Sequence, residues 1–443
     1  MTSEADQRSK LMRRAGAVAL VTRFANVAVG LVATPFLVEG LQPAVFGLFA
    51  TITSISAFAS ISDLGVGGSL LTLLPRSLAS SGDERAARRL STSAYTVSLG
   101  STVAIAVISI AIAQVDDLAI LLGAPPGTTD EVATAFLVYM VLFGCTIPLG
   151  LAGKIQMGLQ QGSAAALWQA GGAVFASVFA ALVAVTTGQL VLTMTASILP
   201  LVLVLVAQTC IVLVRTPNVR PSLRLLEWSG LKSLSKTSGA LLVLQICAVV
   251  AMQTDLIVVS YMLGSEAAGV LSVTTRVFGL TSIVGTSMLF QFWPAMSDGL
   301  ARGEIAWVRR EWLRLSMGLG VFGVVVGGIL VLAGRWLIDF WVGAALIPPV
   351  SLLVVMAAWN AYYIAILPTA QLLNAAHAFK MQTWLVVIMV PVNLGLSLSL
   401  TASIGVAGST LASLISHAFI VGIASAVQAS RILRPNNYAS IST

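Results

Sequence analysis

The chain has 443 residues, of which 57% are hydrophobic and only 9% are charged, and its mean hydropathy is +0.96. A soluble domain is typically about 25% charged, so this composition excludes a water-soluble fold and predicts an all-α polytopic membrane protein. The net charge of +7 requires no nucleic-acid partner, because basic loops are attracted by anionic lipid at the inner leaflet. The longest connection between apolar stretches has 22 residues, which leaves no room for a soluble catalytic domain and predicts a protein that is not an enzyme.

The N-terminal half contains six apolar stretches of membrane-spanning length. A bilayer core of about 30 Å requires about 20 helical residues, and long continuous apolar runs favour helices over a β-barrel. The sequence therefore predicts a six-helix bundle over residues 1–214. Its spans are Ala15–Val38, Phe46–Leu74, Ser91–Ala113, Val132–Gly153, Ala164–Thr186 and Leu190–Val214.

A basic connection at residues 215–236 separates this half from a second one. Residues 237–443 again contain six apolar stretches, so that the whole chain has about twelve predicted spans. They are Thr237–Met262, Ala268–Pro294, Leu313–Ala333, Val350–Ala375, Met381–Thr401 and Gly405–Val427. We interpret residues 215–236 as a cytoplasmic linker between two bundles.

The distribution of positive charge predicts the orientation. With both termini in the cytoplasm, 21 lysine and arginine residues fall in inner connections or tails, and only Arg335 falls in an outer one. Because cytoplasmic loops are enriched in lysine and arginine, this asymmetry supports the span count and predicts a multi-pass protein of the bacterial cytoplasmic membrane.

Loops at matching places in the two halves are similar. Gly47 and Gly269 enter the second and eighth spans, and the next inner loops match at Glu84 and Glu304. The Arg88-Arg89 pair and the Arg309-Arg310 pair follow at nearly the same offset. We interpret the halves as pseudo-symmetric copies with the same orientation, a design in which transporters place substrate sites at the repeat interface. The alternative is chance similarity among loops that are all basic.

Four charged residues lie inside predicted spans and away from the span ends: Arg23, Asp63, Asp255 and Arg276. A charge facing lipid at the centre of a helix costs roughly 2.5–3.5 kcal/mol, so these side chains are expected to face protein or water. In one interpretation, the acids and bases form ion pairs that fix helix packing. In the other, the arginines line a wet cavity between the halves and bind phosphate or carboxylate oxygens, while the acids tune them or carry protons.

Uncharged polar residues and one lysine are further candidates. Asn26, Gln253 and Asn360 lie within spans, where they either bind sugar hydroxyls or link helices. Lys154 ends the fourth span, and it either contacts an anion or extends to the membrane surface. No Cys/His cluster or phosphate-binding glycine loop is visible, so no catalytic residue, metal site or cofactor is predicted.

Three segments resemble the polysaccharide repeat-unit flippases of the multidrug/oligosaccharidyl-lipid/polysaccharide (MOP) exporter superfamily. They are Ile61–Ala79 (ISDLGVGGSLLTLLPRSLA), Thr254–Leu280 (TDLIVVSYMLGSEAAGVLSVTTRVFGL) and Gln371–Lys380 (QLLNAAHAFK). The resemblance extends over nearly the whole chain as a pattern of spans and loops. The lipid II flippase branch usually has fourteen spans, and twelve argue against that branch.

The resemblance implies a V-shaped, MATE-like transporter whose first two spans in each half face a central cavity. It implies that the chain moves a polyprenyl-linked oligosaccharide between leaflets by alternating access. We expect Arg23 and Arg276 to bind the pyrophosphate or acidic sugars, and Asp63 and Asp255 to couple the cycle to H⁺ or Na⁺. The expected partners are this substrate, membrane lipids and a polysaccharide polymerase or chain-length machinery, with the chain itself a monomer.

Three other functions remain open. An ion-coupled multidrug or cation antiporter of the same superfamily would favour acidic and aromatic cavity walls, whereas the buried charges here balance. A membrane-embedded glycosyl polymerase or ligase would normally need a sizeable outer loop, and a purely structural membrane protein has little use for buried charges. Drug efflux and glycan accumulation on the inner leaflet distinguish these functions from flipping.

Overall fold

The structure is a computed structural model that describes residues 2–59, 84–115, 117–225, 253–289, 292–376 and 378–434, together with five isolated positions between 60 and 83. Within these ranges the chain is helical apart from turns and short connections. It divides into two compact units, Met1–Ile246 and Cys247–Thr443. Because residues 226–252 lie outside the described ranges, the bounds of the linker at 215–236 stay a prediction.

The N-terminal unit is built from long helices joined by short turns. Helices α1 and α6 pack along each other, α3 packs on α5, and α8 packs on both α5 and α6. Buried aliphatic side chains of α3, α5 and α8 form a common core. The helices are α1 (Thr2–Leu41), α2 (Pro43–Ala59), α3 (Glu84–Ala113), α4 (Leu118–Leu121), α5 (Thr129–Gly158), α6 (Gly162–Thr187), α7 (Leu190–Ala196) and α8 (Leu199–Arg215).

The sixth span is interrupted where the sequence predicts one continuous helix. Helix α7 ends at Ala196 and α8 begins at Leu199. Pro200 has no N–H group to donate to the carbonyl of Ala196, and its ring disfavours helical geometry at the preceding residue. The helical hydrogen-bond pattern is therefore interrupted before Pro200. The combined segment Leu190–Arg215 is still long and apolar enough to cross a membrane.

The described part of the C-terminal unit begins with helical residues 253–263, nearly all of which belong to the predicted seventh span. Helix α11 is the longest element of this unit among the described residues, and α12 packs along it. The remaining elements are α9 (Ser265–Leu289), α10 (Phe292–Ala301), α11 (Ile305–Val342), α12 (Val350–Ala375), α13 (Phe379–Ile404), α14 (Ala407–Ser416), a π-helical segment (His417–Gly422) and α15 (Ile423–Ile432).

Small residues bring α11 and α12 into close contact. A Cβ atom added at Gly323 would lie 2.6 Å from the Cα atom of Ala361, and one added at Gly327 would lie 3.0 Å from the Cβ atom of Ala357. Glycines four residues apart remove side-chain bulk from one face of a helix, so that two backbones approach each other. This face therefore fixes the packing of these two spans.

The π-helical segment lies beside a group of aromatic rings on α12. Tyr362 forms a 2.8 Å hydrogen bond through its hydroxyl with Nδ1 of His417. The rings of Trp359 and Tyr362 both meet the His417 ring edge-on. A side chain at Gly422 would collide with the Tyr362 hydroxyl, so the glycine makes room for this contact.

Helix pairs at matching places in the two units pack in the same way. Helix α3 packs on α5 in the N-terminal unit, and α11 packs on α12 in the C-terminal unit. Helices α5 and α12 begin at Thr129 and Val350, and their spacing equals that between Arg88 and Arg309 of the matching loops. The predicted pseudo-symmetric arrangement of helical bundles is confirmed.

Among the described residues, nine segments are long and apolar enough to span a membrane. The described parts of the second and seventh predicted spans are shorter, because each of these spans falls partly outside the described ranges. Helix α9 has 25 residues and is not among the nine. The chain is a multi-pass membrane protein, as the composition predicts.

Candidate functional site

A buried polar cluster surrounds Asp255 in the C-terminal unit. The hydroxyl of Ser397 on α13 donates a 3.1 Å hydrogen bond to Oδ1 of Asp255. The hydroxyl of Ser413 on α14 donates a 2.7 Å hydrogen bond to Oδ2. Two helices thus supply donors to both oxygens of one carboxylate, which offsets the cost of an acidic side chain inside a membrane span.

The cluster continues through Asn393 on α13. Its Nδ2 group donates to the hydroxyl oxygens of Ser413, at 3.0 Å, and Ser416, at 3.1 Å. Ser413 therefore accepts from an amide and donates to the carboxylate. We call Asp255, Asn393, Ser397, Ser413 and Ser416 the carboxylate cluster.

The turn between α13 and α14 brings these serines together. Gly405, which has a φ of +71°, ends α13 and reverses the chain in a conformation that side chains rarely adopt. Gly408 then packs directly on the backbone of Leu400 and Thr401, where any Cβ atom would collide. The two helices can therefore approach closely enough for both to reach one carboxylate.

The sequence analysis selected Asp255 but missed its serine and asparagine partners. Ser409, Ser413 and Ser416 follow a spacing of four and three residues, which places them on one face of a helix, and all three are buried. The spacing of these serines is visible in the sequence, but it does not show which side chain they contact.

Arg276 lies near the middle of α9 and is half-buried. Ser272 and Gly279 occupy the same helical face, one turn before and after it, and Thr275 beside it is exposed. A Cβ atom added at Gly279 would meet no atom of the described residues within 4 Å. The face of α9 that carries the guanidinium is therefore polar, and it has room beside Gly279.

Asn360 links helices within the C-terminal unit. Its Oδ1 atom accepts hydrogen bonds from the hydroxyls of Thr281, at 2.9 Å, and Ser282, at 3.0 Å. These bonds join α12 to α9, and Asn360 is 7% exposed. Of the two interpretations of this residue, the structure supports helix linking.

The N-terminal unit also buries polar side chains, and among the described residues the best-paired of these are neutral. Nε2 of Gln208 on α8 donates a 2.7 Å hydrogen bond to Oε1 of Gln156 on α5, and the two residues are 1% and 5% exposed. Lys154, two residues before Gln156, is half-buried and has no ion-pair partner among the described residues.

The remaining candidates are described to different extents. Asn26 on α1 is half-buried, and its Oδ1 atom is buried without a hydrogen-bond donor among the described residues. Gln253 is half-buried at the start of the helical residues 253–263. Arg23 lies in α1, but its side chain and the whole of Asp63 lie outside what the structure describes. A cavity shared by Arg23 and Arg276 therefore stays a prediction.

The carboxylate cluster offers oxygen atoms to a ligand. A carboxylate and hydroxyls are the groups that hard cations prefer, whereas softer metals favour histidine and cysteine. Within the described part of the chain, no group of three or more His, Cys, Asp or Glu side chains is placed to hold a metal ion.

Solved structures share this fold over nearly the whole chain. An inward-facing multidrug resistance MATE family transporter of the MOP superfamily has a TM-score of 0.76, with 13% identity over 94% of this chain and 98% of its own. The fold is that of the MOP superfamily transporters. The lipid II flippase MurJ, in an inward closed conformation, has a TM-score of 0.73, with 14% identity over 96% of this chain and 90% of its own.

A MOP superfamily transporter from Pyrococcus furiosus, described as having a binding pocket of reverse polarity that suggests a different function, has a TM-score of 0.63. It is 14% identical over 98% of this chain and 97% of its own. No protein-family model and no curated protein matches the sequence. At these identities, the likeness establishes the MOP fold and leaves the substrate to be argued from the residues.

Proposed function

We propose that the chain is a flippase that moves a polyprenyl-pyrophosphate-linked oligosaccharide across the cytoplasmic membrane by alternating access, for assembly of O antigen, capsule or exopolysaccharide. The MOP fold supports a transport role, because the solved proteins that share it are named as transporters and as a lipid II flippase. The substrate class is argued from the charges inside the spans. Its headgroup is anionic and hydrophilic, so its path requires positive charge and polar surface within the bilayer.

The observation that carries this proposal is the face of α9 around Arg276. A guanidinium inside a span is costly and is found where it has a polar partner or a water-filled space. Its planar array of donors binds two phosphate or carboxylate oxygens at once. The open space at Gly279, one turn away, leaves room for a headgroup beside Arg276.

We assign further headgroup contacts to Arg23, Asn26, Lys154 and Gln253. Arg23 on α1 supplies the positive charge in the N-terminal unit. The buried Oδ1 atom of Asn26 has no donor among the described residues, and an unsatisfied acceptor costs about 1–3 kcal/mol. A sugar hydroxyl would satisfy it.

We assign ion coupling to Asp255, with Asp63 as the corresponding acid of the N-terminal unit. The two serine donors leave the carboxylate of Asp255 with unused lone pairs, since an ionised carboxylate has about four acceptor sites. Binding of H⁺ or Na⁺ there would change the charge of the cluster and thereby bias the transport cycle. No other cofactor enters the proposal.

The test is complementation of a deletion strain with Arg276 variants. We expect Arg276→Ala to lower surface polysaccharide by about tenfold or more and to leave the lipid-linked oligosaccharide on the inner leaflet, because hydrogen bonds to charged groups contribute about 1.5–3 kcal/mol. Arg276→Lys should restore part of the output, since it keeps the charge but loses the two-pronged geometry. Arg335→Ala, at an exposed position of α11, is the matched control. Normal output from Arg276→Ala at normal protein levels would contradict the proposal.

The alternative is an ion-coupled multidrug or cation antiporter, which the likeness to a MATE multidrug transporter favours. An acidic residue such as Asp255 suits a cationic drug as well as an ion. Efflux of a cationic dye by proteoliposomes, together with unchanged surface polysaccharide in the deletion strain, would support the antiporter. Loss of polysaccharide without any change in dye efflux would support the flippase.

A further inference from the structure

A groove of about 720 Å³ lies at the N-terminal end of α11, and its lining includes neither Arg276 nor a residue of the carboxylate cluster. Three arginines and three apolar side chains form most of its lining, and the C-terminal end of α15 closes one side. The main lining residues are Arg309, Arg310, Arg314, Leu313, Met317 and Leu433. We call this feature the basic groove.

The arginines of the basic groove are available to an anion. Arg309 and Arg310 are exposed and have no ion-pair partner among the described residues. Arg314 has a side chain that is 79% exposed, and its Nη1 atom lies 3.9 Å from Oε1 of Glu311, a distance at which an exposed pair contributes little. Two further exposed arginines, Arg431 and Arg434, flank Leu433 in the sequence.

The basic groove opens onto a lipid-facing strip of the same helix. Met317, Val321 and Val324 are 63%, 64% and 65% exposed, and their spacing of four and three residues places them on one face. This face continues from that of Arg310 and Leu313. A ligand with a charged end and an apolar chain would therefore meet suitable surface along its whole length.

The length of α11 places the arginines at headgroup depth. The helix has 38 residues, which correspond to about 57 Å at 1.5 Å per residue, whereas the hydrocarbon core measures about 30 Å. The helix therefore projects beyond the core. Arg309, Arg310 and Arg314 fall within its first ten residues, on the side that the charge distribution predicts to be cytoplasmic.

We propose that the basic groove binds an anionic glycerophospholipid of the surrounding leaflet, with its phosphate among the three arginines and an acyl chain along Met317, Val321 and Val324. Basic pockets beside spans on the cytoplasmic side are suited to such headgroups. Guanidinium groups bind phosphate oxygens in pairs. The ligand is a resident membrane lipid rather than the transported molecule, so this proposal is independent of the flippase function.

The test compares lipid binding by the full chain and by an Arg309→Gln/Arg310→Gln/Arg314→Gln variant. Native mass spectrometry would count molecules of phosphatidylglycerol or phosphatidylcholine that stay bound after purification. We expect the wild type to favour phosphatidylglycerol and the triple variant to bind it at least about tenfold more weakly, since the variant loses all three positive charges that attract the anionic headgroup. Arg302→Gln is the matched control, because Arg302 is already paired with Asp298 at 3.0 Å, and its binding should stay within about twofold of wild type.

Further arms exclude other occupants and misfolding. A triple Arg→Lys variant should fold and keep the lipid preference, because it retains all three charges. Undiminished phosphatidylglycerol binding by the folded glutamine variant would overturn the proposal. Displacement of the lipid by glycerol phosphate at equal concentration would identify a soluble phosphate as the ligand and would also overturn it. Equal binding of phosphatidylglycerol and phosphatidylcholine by the wild type would also overturn the proposal. The arginines would then be better explained by an acidic protein partner.

Discussion

Both units bury polar side chains among apolar helices, but the two sets differ in charge. In the N-terminal unit, Gln156 and Gln208 satisfy each other across two helices and carry no charge. In the C-terminal unit, Asp255 accepts hydrogen bonds from Ser397 and Ser413 and has acceptor capacity left over. The amide pair fulfils the requirements of packing, whereas the carboxylate cluster brings a charge that packing alone does not require. Among the described residues, this difference makes Asp255 the candidate for ion coupling, whereas Asp63 of the N-terminal unit lies outside the described ranges.

The strongest way to test this difference is to remove the charge from the carboxylate cluster. Asp255→Asn keeps the size of the side chain and an acceptor oxygen, but it cannot bind a cation by charge. We expect transport to fall by about tenfold or more, the equivalent of about 1.4 kcal/mol or more, with little change in protein level. The measurement is uptake of labelled lipid-linked oligosaccharide into proteoliposomes with and without an ion gradient.

The control for Asp255→Asn is Asp339→Asn, which removes an exposed carboxylate near the end of α11. It should transport at the wild-type rate. If Asp255→Asn responds to the ion gradient as strongly as wild type, Asp255 is not the coupling residue and the contrast between the two units is one of packing only.

A second prediction concerns the neutral pair of glutamines in the N-terminal unit. Gln156→Leu leaves the Nε2 group of Gln208 buried without its acceptor, which should cost about 1–3 kcal/mol of stability. The double variant Gln156→Leu/Gln208→Leu removes both partners and should recover most of that loss. The midpoint of thermal unfolding in detergent would report both effects.

Transport provides the deciding readout for the amide pair. The double leucine variant should keep its activity once folded, since the pair is assigned to packing. A folded double variant without transport would give the N-terminal cluster a functional role and remove the contrast with Asp255.

The smallest predicted effect concerns the individual donors of the carboxylate cluster. Ser413→Ala removes the 2.7 Å hydrogen bond and Ser397→Ala removes the 3.1 Å bond, each expected to contribute about 1.5–3 kcal/mol before the remaining groups rearrange. We expect a several-fold change in the ion concentration that gives half-maximal transport, larger for Ser413→Ala than for Ser397→Ala. Ser399→Ala is the control, because the Ser399 hydroxyl is exposed and bonds only within its own helix, to the carbonyl of Leu396.

Equal effects of all three alanine variants on the ion dependence would show that the serines support the helices and do not tune the carboxylate. Transport at saturating ion concentration should be nearly unchanged in each of them. A loss there would indicate damage to the fold.

Much of the fold was predictable because hydropathy determines it. Long apolar runs must become helices in a bilayer, since every backbone N–H and C=O group needs an internal partner. Loop similarity also predicted the repeat, as the matching starts of α5 and α12 show. The break before Pro200 was the main departure, and its cause lies in a local property of proline that a hydropathy average does not register.

The site was less predictable than the fold. Asp255 and Arg276 could be selected from the sequence because a charged side chain inside an apolar span is energetically costly and is seldom present without a partner or a function. The partners of Asp255 come from helices more than 140 residues away in the sequence, and serine is too common in spans to signal a contact. Asn360 was selected from the sequence, but its role was not, because sugar binding and helix linking both use asparagine. Its hydrogen bonds to Thr281 and Ser282 distinguish the two roles.

The π-helical segment His417–Gly422 has a geometric consequence for the end of the chain. A π turn contains one residue more than the α turn that it replaces, so all later side chains are rotated by about 100° around the helix axis. Before it, Ser413 faces Asp255; after it, Ala429 and Ile432 join the core around Trp312. One extra residue thus lets a single span satisfy two neighbours in different directions, hydroxyls toward one and hydrocarbon toward the other.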